Sequence, residues 1–152
     1  MVQRIKILQP IAHRVEETNL NTSAAIVAQY FDCPVVFAKK TQSINLDGTM
    51  LSAQIESFTH KRTYEVIVAS RFIQPGENIL VIDDFMANGC AAMGLVKIIQ
   101  EAHANLVGIG IVIEKGFQQG GAKLREQGLR VESLAIVDSM DAETQSITFR
   151  EE

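Results

Sequence analysis

Residues 79–95 read ILVIDDFMANGCAAMGL: four apolar residues, two adjacent aspartates, a short stretch around Asn88-Gly89, and a run of small residues. Ile79 to Ile82 fit an unbroken apolar strand, and Leu95, Ile98, Ile99 and Ala102 carry the i, i+3, i+4, i+7 stripe of a helix. In sheets of parallel strands, ligands sit beyond the carboxyl ends. Asp83 and Asp84 fall where this strand emerges, and Ala87 to Ala91 lead into a helix whose unpaired N–H groups and dipole favour an anion. Gly89 permits a close approach of backbone, and Ala91 and Ala92 leave room for a phosphate. Two carboxylates would repel a phosphate placed against them, so their natural partners are sugar hydroxyls a little further off. A ribose 5-phosphate satisfies both halves. A strand end followed by an ordinary Asn-Gly turn accounts for the same spacing equally well, since one glycine is a weaker signal than a full phosphate-loop signature.

Outward from this stretch, strands and helices alternate. Arg4 to Leu8 reads as a short strand, and Ser23 to Phe31 suits a helix with Asn21, Thr22 or Ser23 as N-cap. Cys33 to Ala38 is a compact apolar run; Ala53 to Phe58 and Tyr64 to Ala69 alternate like two strands of a hairpin turning at Thr59 to Arg62. Val107 to Ile113 is predicted to be a central parallel strand buried on both faces. Gly120-Gly121 precede a short helix at Ala122 to Gln127, and Arg130 to Val137 and Ser146 to Phe149 are the last strands. The expected fold is α/β, a doubly wound, mostly parallel sheet with an inserted β-hairpin flap.

Composition narrows the function. The 152 residues, 47% of them hydrophobic, suffice for one domain with a substantial core, so a single domain over residues 1–152 is expected. A net charge of −4 with no long basic run removes the electrostatic footprint of a nucleic-acid or anionic-membrane binder. Neither an 18-residue apolar span nor a signal peptide is recognisable, and Cys33 and Cys90 fit neither a metal site nor a redox pair, which points to a reducing cytoplasm. His13, His60 and His103 fall on no metal-ligand spacing, so no residue set is expected to hold a metal by itself. Glu16-Glu17 and Asp138 to Glu143 read as solvated charge, and Met86 and Met93 as core filler.

VIDDFMANGCAA resembles the PRPP-binding motif of the type I phosphoribosyltransferases. Taken with GIGIVIEKGFQ, LRVESLA, CPVVFAKK and SFTHKRT, the chain is similar over roughly residues 33 to 137 to the xanthine-using branch of the purine enzymes in that family. The resemblance implies transfer of phosphoribose from PRPP to a 6-oxopurine, most closely xanthine, giving XMP and pyrophosphate in purine salvage. It implies a homodimer whose partners are PRPP and an oxopurine, with Mg2+ carried by PRPP. By position, Asp83 and Asp84 would hold the ribose hydroxyls and serve as the catalytic pair. Ala87, Asn88, Gly89, Cys90 and Ala91 would cradle the 5′-phosphate, and Lys39 or Lys40 would face pyrophosphate. Lys115 would meet a purine carbonyl, with Phe117 against the ring. Thr59 to Arg62 would belong to the flap that folds over PRPP.

Two departures accompany the resemblance. By the resemblance, the N-terminal arm that supplies purine contacts in the family is expected to be largely missing from these 152 residues. Where the family has a pyrophosphate loop of the form Glu-x-Ser-Gly-Ile, this chain reads VEETNLNTSAA from Val15 to Ala25, without glycine. An alternative therefore stands beside the enzyme: a catalytically weak homologue that senses PRPP or nucleotide, related to the purine operon repressor. Lys115-Gly116-Phe117 favours the enzyme.

Overall fold

A computed structural model of the chain describes residues 5–11, 22–41, 49–57 and 62–151. In chain order the elements are β1 (Ile5–Ile11), α1 (Thr22–Phe31), β2 (Val35–Thr41), β3 (Met50–Ser57), β4 (Arg62–Ala69), β5 (Asn78–Met86), α2 (Cys90–Glu101), β6 (Asn105–Lys115), α3 (Gly120–Glu126), β7 (Val131–Asp141) and β8 (Ser146–Phe149). The strands form one eight-stranded sheet in the order β3-β4-β2-β1-β5-β6-β7-β8. β2, β1, β5, β6 and β7 run parallel, and the hairpin β3-β4 and strand β8 extend the two ends antiparallel.

The alternation of side chains decides which helix covers which face. Register aligns Leu8 with Val36 and Val81, and these join Ile79, Ile109 and Ile111 in a cluster completed by Leu95, Val96, Ile98 and Ile99 of α2. The intervening residues Ile7, Val35, Leu80 and Ile82 point the other way and meet Ala24, Val27 and Ala28 of α1. Helices thus lie on both faces, as the doubly wound reading expects. Each fully buried Leu or Ile here contributes about 1.5–3 kcal/mol by leaving water. The hairpin belongs to this core: Leu51, Ala53, Ile55, Val66 and Val68 are buried in the α2 cluster. Gly94 makes the contact fit, because a Cβ there would come within 2.7 Å of Ile55 Cδ1.

Three expectations change in detail. β1 runs on through Gln9 and Pro10, where the sequence reading stops at Leu8. Pro10 is tolerated because the ladder with β5 has ended at Leu8 and only β2 continues beside it. β5 does not end at Ile82 but carries Asp83 and Asp84 within the strand as far as Met86. β6 is buried in part on both faces, at Ile109 and Ile111 on one and at Gly108 and Glu114 on the other, but Val107 is 45% exposed. It is the extra residue where the pairing slips from Ile79–Leu106 to Leu80–Gly108, so the bulge turns it outward. Met86 and Met93 do fill the core, as expected. Asn21, His13, His60, Glu16-Glu17, the hairpin tip before Arg62 and the stretch from Val15 to Asn21 lie outside the described residues. Of the described residues, no helix is long and apolar enough to cross a membrane.

Candidate active site

The chain leaves β2 on one side of β1 and resumes with β5 on the other, so the order of the strands reverses beside β1. A crevice opens at the carboxyl ends of strands at such a point. β5 delivers Asp83-Asp84-Phe85-Met86 to it, followed by the turn Ala87–Gly89 and the first residue of α2, Cys90.

Asp83 is partly buried, and its Oδ1 accepts the backbone N–H of Asp84 at 3.0 Å. Burial first, and the neighbouring Asp84 charge second, push its carboxyl up to about 7, against the opposing pull of Lys40. Lys40, on β2, is therefore the member of the lysine pair whose charge reaches the acids; Lys39 is exposed. A carboxyl pushed up in this way, by burial and a like-charged neighbour, makes Asp83 a candidate site residue.

The turn that follows is shaped by glycine. Gly89 caps α2 with φ +74°, and no side chain caps the helix, so the N–H groups of its first turn face the turn without a side-chain acceptor. Behind the turn stands Gly120, the first residue of α3, where a Cβ would collide with Ala87 O and lie 2.6 Å from Gly89 N. Backbone therefore packs on backbone, and the Ala87–Gly89 turn is held from below by the start of another helix. Cys90 and Ala91 are half-buried and pack against the α2 core, with Cys90 Sγ 4.0 Å from Asn88 O. Asn88 is exposed at the tip.

The residues expected on the purine side, Lys115 and Phe117, stand at the end of β6 and in the turn after it. Lys115 Nζ stands 5.0 Å from the ring centre of Phe85 and 5.9 Å from that of Phe117. The ammonium is held between two aromatic faces. Phe85, which follows the acid pair directly, is the residue that links the two halves, and the sequence reading passed over it. Its signal was available: a large aromatic at a strand's ligand end, beside two acids, has no core to enter, and it is 43% exposed.

A second group was not foreseen. Glu114, adjacent to Lys115, is buried, and Arg125 of α3 grips it with both guanidinium nitrogens, Nη1 to Oε1 at 2.9 Å and Nη2 to Oε2 at 2.8 Å. The Ser133 hydroxyl also donates to Oε2. The Arg125 bonds hold the carboxyl below its usual range in spite of burial. Near Gly116, Arg150 of β8's end pairs with Asp138 at 2.6 Å, so part of the Asp138 to Glu143 charge is paired and not merely solvated. His103 is exposed after α2. Among the described residues no three His, Cys, Asp or Glu side chains converge as a metal site.

No protein-family model matches the chain. A xanthine phosphoribosyltransferase from Lachnoclostridium phytofermentans is 59% identical over 127 residues, covering 84% of this chain and 66% of that protein. One from Clostridioides difficile is 58% identical over 119 residues, covering 78% of this chain and 63% of that protein. The chain thus spans a little under two thirds of the length of these relatives. Among solved structures, an adenine phosphoribosyltransferase from Thermoanaerobacter pseudethanolicus superposes with a TM-score of 0.70 at 21% identity, covering 86% of this chain and 69% of that one. The Giardia lamblia enzyme complexed with 9-deazaadenine gives 0.70 at 20% identity, covering 89% and 70%. These likenesses carry the fold, and the closer sequences carry the kinship: the chain belongs to the xanthine phosphoribosyltransferase family, on the type I phosphoribosyltransferase fold.

Proposed function

We propose that the chain transfers phosphoribose from PRPP to a 6-oxopurine, with xanthine as the base, releasing pyrophosphate and forming XMP for purine salvage. The observation that carries this reading is the meeting of three unlike features at the carboxyl ends of β5 and β6: an acid pair, an uncapped helix start behind a glycine turn, and an ammonium near two exposed aromatic rings.

Each feature answers one part of the substrates. The Ala87–Ala91 segment accepts the 5′-phosphate on backbone N–H groups, and Asp83 and Asp84 accept the 2′- and 3′-hydroxyls of the ribose. The bond from the anomeric carbon to pyrophosphate breaks as a purine nitrogen bonds to the same carbon, through an oxocarbenium-like state. Holding both reactants in line and keeping anionic oxygens nearby favour that state. Lys115 donates to a purine carbonyl while Phe117, with Phe85, offers a face to the ring. Lys40 stands on the side of the departing pyrophosphate, with Lys39 beside it.

Mg2+ fits as a companion of PRPP. The acid pair supplies hard oxygen donors, too few to enclose an ion alone, which suits a metal that keeps several waters and binds substrate phosphates. When bound, it would neutralise charge on the leaving pyrophosphate. In the same reading the protein works in the cytoplasm as a homodimer. Free Cys33 and Cys90 are in keeping with a reducing compartment, and exposed Leu134 and Phe149 offer apolar surface for a second copy. The test is direct: protein, PRPP, magnesium and xanthine are mixed, and XMP and pyrophosphate are followed. Equal turnover of adenine, or binding of PRPP without any product, would overturn the assignment.

A further inference from the structure

Glu114 stands at a branch point of the site. Its backbone pairs with Met86 in the sheet, and Met86 immediately precedes the Ala87–Gly89 turn. The residue after it is Lys115, which carries the purine-side ammonium. Its side chain reaches α3, where the carboxylate occupies the place a Cβ on Gly121 would need. Gly121 follows Gly120, whose backbone supports Gly89. One residue therefore touches, by ladder, by chain and by side chain, both halves of the proposed site.

The carboxylate is also fully engaged. At 2% exposure it receives both arms of Arg125 and the Ser133 hydroxyl, so its orientation is fixed by three donors from two further elements. Arg125 is itself tied down, its Nε donating to Val131 O at 3.3 Å. An apolar side chain of similar volume would fill the space as stably. What a forked ion pair adds is direction: it admits one arrangement of α3 against β6 and β7.

We propose that Glu114, clamped by Arg125 and Ser133, is a positioning residue that sets the distance between the phosphate turn and the purine-side segment Lys115–Phe117. The proposal rests on the phosphoribosyltransferase reading and adds to it. A ligand that occupies only one half finds its local contacts whether or not the clamp is intact. A nucleoside monophosphate spans both halves and needs them in register, and small misplacements between bound groups are costly.

The experiment compares calorimetric affinities of three ligands, XMP, ribose 5-phosphate and xanthine, for the wild-type chain, Glu114→Gln and Ser133→Ala, with circular dichroism reporting the folded fraction. Glu114→Gln is expected to weaken XMP by about tenfold or more while ribose 5-phosphate and xanthine change by less than about threefold. Ser133→Ala removes one of three donors and is expected to act in the same direction by about threefold. If Glu114→Gln does not fold, Ser133→Ala decides alone. Parallel losses for all three ligands, or unchanged XMP affinity in folded variants, overturn the positioning role and leave the functional reading standing. A wild-type chain that binds none of the three overturns both.

Discussion

Asp83 and Glu114 are both acids withdrawn from water on neighbouring parallel strands, and the protein treats them in opposite ways. Glu114 is given an arginine fork and a hydroxyl, and its carboxyl falls below the ordinary range. Asp83 is given burial and a second acid at its side, opposed by the charge of Lys40 and the backbone N–H of Asp84, and its carboxyl rises to about 7. A carboxylate that serves the fold is completed by the fold, whereas one left with a like charge beside it keeps room for an outside partner, which is the role proposed for Asp83. The difference separates scaffold from site more cleanly than burial does, since both groups are withdrawn from water.

The largest expected effect breaks the completed acid. Glu114→Ala leaves Arg125 Nη1 and Nη2 without their buried acceptor; breaking a fully buried pair from one side costs roughly 3–5 kcal/mol, an upper bound here because the Arg125 side chain is 36% exposed. Urea unfolding at pH 7 measures it. The pH dependence has a fixed sign. The folded value of Glu114 lies below its unfolded 4.5, so its contribution is present above that pH and is lost as pH falls through the folded value. The deficit of the variant should therefore shrink in acid; a deficit that is constant with pH would show that only volume was lost.

The uncompleted acid should behave in the reverse sense. Its folded value, about 7, lies above the unfolded 3.8, so the stability it contributes is full below about pH 4 and is lost as pH rises through 7. Asp83→Asn removes the charge at constant shape. Without ligand, the variant should match the wild type near pH 4 and exceed it at pH 8 by up to about 4 kcal/mol, the equivalent of a three-unit shift. With PRPP and magnesium the advantage should shrink, because a charged acceptor for a ribose hydroxyl is gone, at a cost of about 1.5–3 kcal/mol in binding. A variant that is less stable than the wild type at pH 8 would place Asp83 with Glu114, among the scaffold.

How much of this contrast could be read in the sequence depends on what each residue's signal is. The apolar run Ile79–Ile82 marks the strand that the structure extends to Met86, the α2 stripe at Leu95, Ile98, Ile99 and Ala102 follows from periodicity, and β8 from Ser146 to Phe149 appears with the expected bounds. The acid pair was visible because two adjacent aspartates interrupt an apolar strand. Glu114 was not, because one acid in an apolar strand looks the same whether it is exposed or clamped, and its partner is eleven residues away on another element. Pro10 cut β1 short in the sequence reading because a missing N–H matters only on the side where the ladder continues. The bulge at Val107 depends on the neighbouring strand and leaves no local trace.

Lys115 allows the comparison to be sharpened within the site. Lys115→Met keeps the length that covers Phe85 and Phe117 and removes the charge, so it should reduce use of xanthine by about tenfold to a hundredfold, the loss of one charged hydrogen bond, and leave PRPP affinity nearly unchanged. Steady-state kinetics with each substrate varied in turn make the distinction. Equal losses for base and PRPP would argue that the lysine supports the edge of the sheet and does not read the base.

The smallest effect concerns the two thiols, which again divide into scaffold and site. Cys33 precedes β2, packed beside α1, and burial, with Asp32 adding to it, pushes its thiol up, so little of the reactive thiolate is present near neutral pH. Cys90 opens α2 in the turn that the reading assigns to the phosphate, yet it also packs against the core, so its geometry alone serves either role. Iodoacetamide separates the two, since alkylation needs both thiolate and access. Cys90 is expected to label several-fold faster than Cys33, whose thiolate burial suppresses. A nucleoside monophosphate or PRPP with magnesium should then slow Cys90 alone, because a phosphate seated on the first turn of α2 covers the approach to its sulfur. If ligand leaves the rate at Cys90 unchanged while binding is seen by calorimetry, the phosphate sits elsewhere, and the turn at Ala87–Gly89 joins Glu114 as a part of the frame.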